Sequence, residues 1–417
     1  MFIKQALEKH YKRIIIFLGV FGPATITAIS DNDAAGVATY SLAGAQFGYS
    51  LLFILLIVTI LLAMTQEMGV RIAIVARKGL GDIIRERYGV NISLLVFLCL
   101  FVANMGTIVA NFSALKAVSS MFEYPVIPII LSVIIFSAIF ITKGNYQTNQ
   151  KLFFVGIILY FSYVISAVKG NPDWGRAFTS LVVPTGFTYS KEFILSAIAV
   201  VGTTITPWGQ FFIQSYVNDK KIILEGLRYS QFETYFGALL TNFFSFFMVV
   251  ATASTLFIHS IPLISGEQAA LAIRPFAGEL ASVLFGLGLL NAAIMGIIIV
   301  SLTTTYIFGE FFGVERSLDV PYERGKAFYG LFFVQLIIAA FISLLPFISL
   351  FKIVFITQAI NGALLPLVFF FLLKITNNKE IMGEHINNKY YNYFAVTSSV
   401  LIVIASIFIV LTAIFNI

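Results

Sequence analysis

Charge is scarce in this chain. Only 11% of its 417 residues are Asp, Glu, Lys or Arg, while 59% are apolar and the mean hydropathy is +0.95. A water-soluble fold has no use for that much apolar surface, whereas a helical bundle in lipid does, at about 20 apolar residues per span. Strand-sized segments of alternating polarity are absent as well, so a membrane β-barrel is not indicated. A single cysteine, Cys99, excludes an intramolecular disulfide and a cysteine-ligated metal site. Three scattered histidines, His10, His259 and His385, exclude a zinc-type cluster. No nucleophile–base pair or metal-hydrolase spacing appears in any apolar segment, so the chain does not read as an enzyme.

Apolar runs of spanning length do recur. Eleven spans are expected near residues 14–45, 48–70, 92–116, 124–142, 152–168, 192–217, 232–257, 279–307, 327–347, 353–373 and 393–415. With the N-terminus placed inside, the internal segments hold Lys4, Lys9, Lys12, Arg13, Arg71, Arg77, Lys78, Arg85, Arg87, Lys143 and Lys151. They also hold Lys220, Lys221, Arg228, Arg316, Arg324, Lys326, Lys374, Lys379 and Lys389, making 20 of the 26 basic residues. That asymmetry, rather than nucleic-acid binding, accounts for the net charge of +6. It predicts a multi-pass protein of the cell membrane with a cytoplasmic N-terminus and an external C-terminus. The first apolar stretch lacks a small-residue cleavage site and reads as a retained helix. The polar stretch from Asn377 to Asn392 is too short to fold alone, so residues 1–417 read as one transmembrane domain.

Spans one and six differ from the rest. The first interrupts its apolar run with Ser30-Asp31-Asn32-Asp33-Ala34-Ala35-Gly36 and then turns apolar again through Ala45. The sixth carries Gly202-Thr203-Thr204-Ile205-Thr206-Pro207-Trp208-Gly209. Pro207 offers no N–H and clashes with the turn before it, and the flanking glycines lower the cost of unwinding. Breaks at corresponding places, five spans apart, point to an inverted-repeat transporter with a site at the bilayer midplane. The repeats are expected over about 14–168 and 192–373, with an added helix over 393–415.

Two carboxylates within a span are costly unless they face a cavity or a cation. Asp33, and after it Asp31, are therefore candidate cation ligands. The alternative is a break at the external surface, with both carboxylates solvated. Asn32 would either add an amide oxygen or cap a half-helix. Thr203 and Thr206 are candidates through the carbonyl freed by Pro207 or through a hydroxyl, although threonines in spans commonly bond their own backbone four residues back. Gln358 and Asn361, at i and i+3 of the tenth span, put two amides on one face, either as a cavity wall or as glue between helices. Glu67 and the basic stretch from Arg71 to Arg87 read as solvated, topology-setting charges.

Several ordered motifs resemble a known family. Phe21-Gly22-Pro23 through Asp33, and Gly44-Ala45-Gln46-Phe47-Gly48-Tyr49, are similar to the first span of the Nramp divalent-metal transporters. So are Thr65-Gln66-Glu67-Met68-Gly69-Val70-Arg71 with Arg77-Lys78-Gly79 and Arg85-Glu86-Arg87. Gly202 to Gln214 resembles the family's sixth span, and Gln358 with Leu364-Leu365-Pro366 and Ile381-Met382-Gly383 its tenth. The likeness covers about residues 20–385. It implies an all-α, leucine-transporter-like fold of five plus five inverted helices, with an eleventh added and helices one and six discontinuous.

The departures carry information too. The family's Asp-Pro-Gly-Asn becomes Asp33-Ala34-Ala35-Gly36, so the carboxylate stays and the amide is lost. Its Ala-x-x-Met-Pro-His becomes Thr203-x-x-Thr206-Pro207-Trp208. Residues 92–116 hold no Asp or Glu where the family has third-span acids. Thioether sulfur suits softer metals, while oxygen donors suit Mg²⁺, Ca²⁺ and Mn²⁺. Gly36 and Thr206 are also expected to widen the cavity for an ion that keeps its waters. Loss of the histidine and of the acids removes the evident proton relay.

The chain thus resembles the Nramp-related magnesium transporters, which implies uncoupled uptake of hydrated Mg²⁺, and of Mn²⁺, across a bacterial inner membrane. No resident cofactor is expected, and the partners are the divalent ion and the lipid bilayer, with the chain acting as a monomer. A proton-coupled Mn²⁺ importer, an amino-acid carrier of the same fold and a non-transporting metal receptor remain as alternatives.

Overall fold

The structure is a computed structural model and describes residues 17, 19–188, 190–263 and 274–415. The expected basic N-terminal segment with Lys4, Lys9, Lys12 and Arg13, and the start of the first span at residue 14, lie outside the described residues.

Apolar stretches in lipid must satisfy their backbone internally, and the chain does so with helices. The first span is two half-helices, α1 (Pro23–Ser30) and α2 (Ala34–Phe47). There follow α3 (Leu52–Ala76), α4 (Leu80–Met121), α5 (Val126–Lys143) and the fifth span, α6 (Tyr146–Leu159) with α7 (Phe161–Lys169). After a short α8 (Trp174–Val182) the sixth span is again split, into α9 (Lys191–Thr204) and α10 (Pro207–Asp219). The remaining helices are α11 (Leu227–Thr252), α12 (Glu279–Phe312), α13 (Lys326–Ser343), α14 (Leu350–Thr376), a short α15 (Lys379–Met382) and α16 (Lys389–Phe415). Nine of these segments are long and apolar enough to cross a membrane, counting α6–α7 and α9–α10 as one each. The broken first span and α16 lie where the other two spans were expected.

Two expectations needed adjustment. Residues 170–190 contain α8, which Asp173 starts by accepting a hydrogen bond from the Arg176 N–H at 3.0 Å. And α4 is bent near its start, where Gly89 adopts φ 79° and ψ 176°, a conformation open to glycine alone. That bend sets the first turns, Leu80 to Tyr88, apart from the long apolar remainder of the helix.

The interior is organised by α12 lying along α4, and by α11 lying along α3 and α1. Fully buried aromatics such as Trp208, Tyr160, Phe212 and Tyr306 fill the space between them. Trp208 is thus a packing residue just past the break. Leu95, Leu98, Ile139, Ile158, Phe341 and Leu401 point outward, as a lipid-facing surface requires.

Candidate metal site

Both breaks are held open by their own side chains. Asp33 is the N-cap of α2 and accepts the Gly36 N–H at 3.0 Å. Thr206 caps α10 in the same way, accepting the Gly209 N–H at 3.1 Å. Pro207 has no N–H to offer the Thr203 carbonyl, so the last turn of α9 ends there. Two half-helix C-termini, of α1 and α9, and two N-termini, of α2 and α10, therefore meet inside the protein, where cations and anions respectively are favoured.

The residues singled out from the sequence fall into two groups. In one, Asp33 accepts a second hydrogen bond from the Asn111 amide at 2.8 Å. Beside it, a β-carbon at Gly36 would stand 3.6 Å from the Thr203 hydroxyl. That hydroxyl accepts a hydrogen bond from the Gln358 amide nitrogen at 2.9 Å. The Gln358 and Asn361 carbonyl oxygens have no hydrogen-bond partner among the described residues, although both side chains are buried. Gln358 borders a cavity of about 70 Å³ between α2, α9 and α14, with Thr39, Leu42, Leu195 and Ser196.

In the other group, Asp31 accepts from the Thr206 hydroxyl at 2.6 Å and from the Gln66 amide at 3.3 Å. The two carboxylates share no hydrogen-bond partner, and both are buried, at 1% and 3% exposure. Solvated carboxylates at an external break are therefore excluded.

Some expectations are corrected. Asn32 neither caps a half-helix nor faces the carboxylates. Its amide donates to the Thr241 carbonyl and accepts from the Ser245 hydroxyl, both at 2.8 Å, so it fastens the break to α11. The space gained at Gly36 is not open cavity, because a β-carbon there would meet the Asp31 carbonyl oxygen at 2.7 Å. Thr204 alone of the three threonines bonds back four residues, to Val200 at 2.7 Å.

Glu67 and Arg71 are not solvated. They are 3% and 6% exposed and paired at 2.8 Å, with Arg71 reaching the His385 carbonyl and Asn387, and Glu67 reaching Gln231 and Tyr391. Arg77, Lys78 and Arg87 are exposed, as expected.

Other contacts were not anticipated. Asn111 holds Asp33 on one side and accepts the Ala34 N–H at 3.0 Å on the other. The signal was present as Asn104, Thr107 and Asn111, one polar stripe at helical spacing in a largely apolar span. Glu233, buried in α11, accepts the Gly22 and Thr25 N–H groups at 2.7 and 2.9 Å and so caps α1 from another helix. On the face that carries most basic residues, Glu310 accepts from Ser215 at 2.6 Å and from the Gly81 N–H at 2.9 Å. It lines a cavity of about 630 Å³ with Asp219, Tyr306, Arg316 and Arg324. Among the described residues no three His, Cys, Asp or Glu side chains converge. Any cation held here would rest on carboxylates together with amide and hydroxyl oxygens.

Nine membrane-length helical segments among the described residues, with two broken helices enclosing buried carboxylates, define a multi-pass helical membrane protein. Comparisons narrow it. The family model described as "Natural resistance-associated macrophage protein-like" matches residues 24–412, and the chain belongs to that family, Nramp. A relative named divalent metal cation transporter MntH, from Bacillus subtilis (strain 168), is 23% identical over 98% of this chain and 95% of its own. One of that name from Yersinia pestis (strain Pestoides F) is 23% identical over 90% of each. Among solved structures, the Eremococcus coleocola manganese transporter superposes with a TM-score of 0.78 at 18% identity, over 94% of this chain and 85% of that one. The nucleobase-cation-symport-1 family transporter Mhp1 gives 0.53 at 14% identity over 94% and 90%, which relates the fold to a transporter of another family.

Proposed function

We propose that the chain carries divalent metal cations across a cell membrane, with Mg²⁺ as principal cargo and Mn²⁺ also accepted, down the ion's own electrochemical gradient. Asp33 is the charged ligand. Thr203, Gln358 and the backbone at the break support it directly or through water, and Asn361, whose amide nitrogen meets the Thr107 hydroxyl at 3.5 Å, lies one turn further along α14. The observation that carries this reading is the donor set around Asp33: carboxylate, hydroxyl and amide oxygens, without thioether or imidazole among the described residues. Hard oxygen donors favour Mg²⁺ and Mn²⁺ over softer metals, and Mg²⁺ gives up its waters reluctantly. The third span offers Asn104, Thr107 and Asn111, all neutral, so nothing beside Asp33 in that span takes up a proton. The basic asymmetry favours a cytoplasmic N-terminus in a bacterial inner membrane.

A second reading is a proton-coupled Mn²⁺ importer, and manganese is the metal in the name of the Eremococcus coleocola neighbour. Reconstitution separates the two. Liposomes containing the wild type should take up Mg²⁺ and Mn²⁺ with no change of internal pH, and Asp33→Ala should lose that uptake. Internal acidification accompanying Mn²⁺ entry would establish the second reading, and unchanged flux in Asp33→Ala would remove Asp33 from the site.

A further inference from the structure

Asp31 and Asp33 lie two residues apart, yet their side chains go to different helices. Asp33 turns to α4, whereas Asp31 turns to the start of α10 and to α3. Around Asp31 the surroundings are polar beyond what packing requires. Gln66 is fully buried and donates one amide hydrogen to Asp31, leaving its carbonyl oxygen beside that carboxylate with no partner among the described residues. Gln210, one turn past Thr206 on α10, is also fully buried, and neither its carbonyl oxygen nor its amide nitrogen has a partner there. Gln214, a turn further, spends its amide nitrogen on the Gln210 backbone carbonyl at 3.0 Å and leaves its own side-chain oxygen unpartnered.

A buried amide without partners is costly, and such groups in native proteins usually face a water or an ion. The faces concerned are in contact. A β-carbon at Gly69, one turn along from Gln66, would lie 3.4 Å from the Gln214 side chain. Glycine at 209 leaves the approach to Asp31 clear, since a β-carbon there would stand 3.0 Å from its carboxylate oxygen.

Helix direction places this cluster. From its break, α10 runs toward the basic face and ends at Asp219, in the wall of the large cavity. The Gln358 cavity lies at the other end, among the first turns of α9 and α14. We infer that Asp31, Gln66 and Gln210 form a second divalent-cation station, occupied after Asp33 on the way to the basic face, with Gln214 as the next oxygen along the exit. This rests on Asp33 being the first station. A cation leaving Asp33 would otherwise have to shed a carboxylate for water in one step. A second carboxylate a short distance inward divides that step, with carbonyl oxygens standing in for hydration.

Sidedness tests it. Mg²⁺ flux is measured from each face in turn, using right-side-out and inside-out vesicles from cells expressing the full chain. Gln66→Met, which keeps the volume, and Asp31→Asn should raise KM at least fivefold from the basic face while leaving KM from the opposite face within twofold. Asp33→Asn should impair flux from both faces. Equal KM shifts from the two faces in the Gln66 and Asp31 variants would merge the stations into one, and no shift in Gln66→Met would make the cluster structural. Should Asp31→Asn fail to fold, Gln66→Met alone decides. Normal flux in Asp33→Asn would instead defeat the first-station reading on which this one stands.

Discussion

A β-carbon at Gly36 would collide with a backbone carbonyl, that of Asp31, at 2.7 Å, whereas at Gly202 it would find its nearest neighbour at 3.7 Å. The two glycines flank the same site but do different things. Gly36 lets the end of α1 fold back against the start of α2, and Gly202 merely sits across from Gln358. Overpacking that cannot be relieved by a side-chain rotation costs about 1–3 kcal/mol. Gly36→Ala should therefore lower thermal stability in detergent by about that amount and depress Mg²⁺ flux, with Gly202→Ala close to wild type in both. Equal effects of the two substitutions would mean that the α1–α2 contact yields to a β-carbon. The sequence pointed to added cavity at Gly36, where the structure puts backbone instead. Missing side-chain volume reads as cavity until the backbone that fills it is seen, and that backbone belongs to a residue five positions earlier.

At the scale of elements, the spans were readable because each is an apolar run longer than a bilayer is thick, and both breaks because Pro207 and the acidic pair Asp31 and Asp33 are local signals. What was not readable depends on partners far along the chain. Glu67 and Arg71 sit four residues apart near the end of a span, where solvated charges are the ordinary expectation. They are buried because Gln231 of α11, Tyr391 of α16 and the residues 385–387 close over them. Asn111 went unnoticed as a partner of Asp33 for the same reason, being 78 positions away. The buried pair ties α3, α11 and α16 together, and removing one member leaves an uncompensated charge, at about 3–5 kcal/mol. Arg71→Met should accordingly destabilise the protein by roughly that much. The double variant Glu67→Gln with Arg71→Met should recover a good part of the loss, as read by thermal unfolding in detergent. Simple additivity of the two single variants would show that the charges do not interact.

For the whole molecule, membrane potential and ion charge together determine what uptake can achieve. Moving one elementary charge through 100 mV is worth about 2.3 kcal/mol, so a divalent ion gains about 4.6 kcal/mol on entering an inside-negative compartment. At about 1.36 kcal/mol per decade, that supports a concentration ratio of roughly two thousand without any proton. The slope is more telling than the size. An ion crossing alone carries two charges, and its equilibrium ratio should change tenfold for each ~30 mV. An ion accompanied by one proton carries three, and the interval shrinks to ~20 mV when no pH difference is imposed. Liposomes clamped at a series of potassium diffusion potentials therefore report coupling without any pH indicator. A third span whose polar stripe is Asn104, Thr107 and Asn111 gives a proton no group to ride beside Asp33. The ~30 mV slope is expected for Mg²⁺ and Mn²⁺ alike, and a ~20 mV slope for Mn²⁺ would mean that Asp31 or Asp33 itself carries the proton inward.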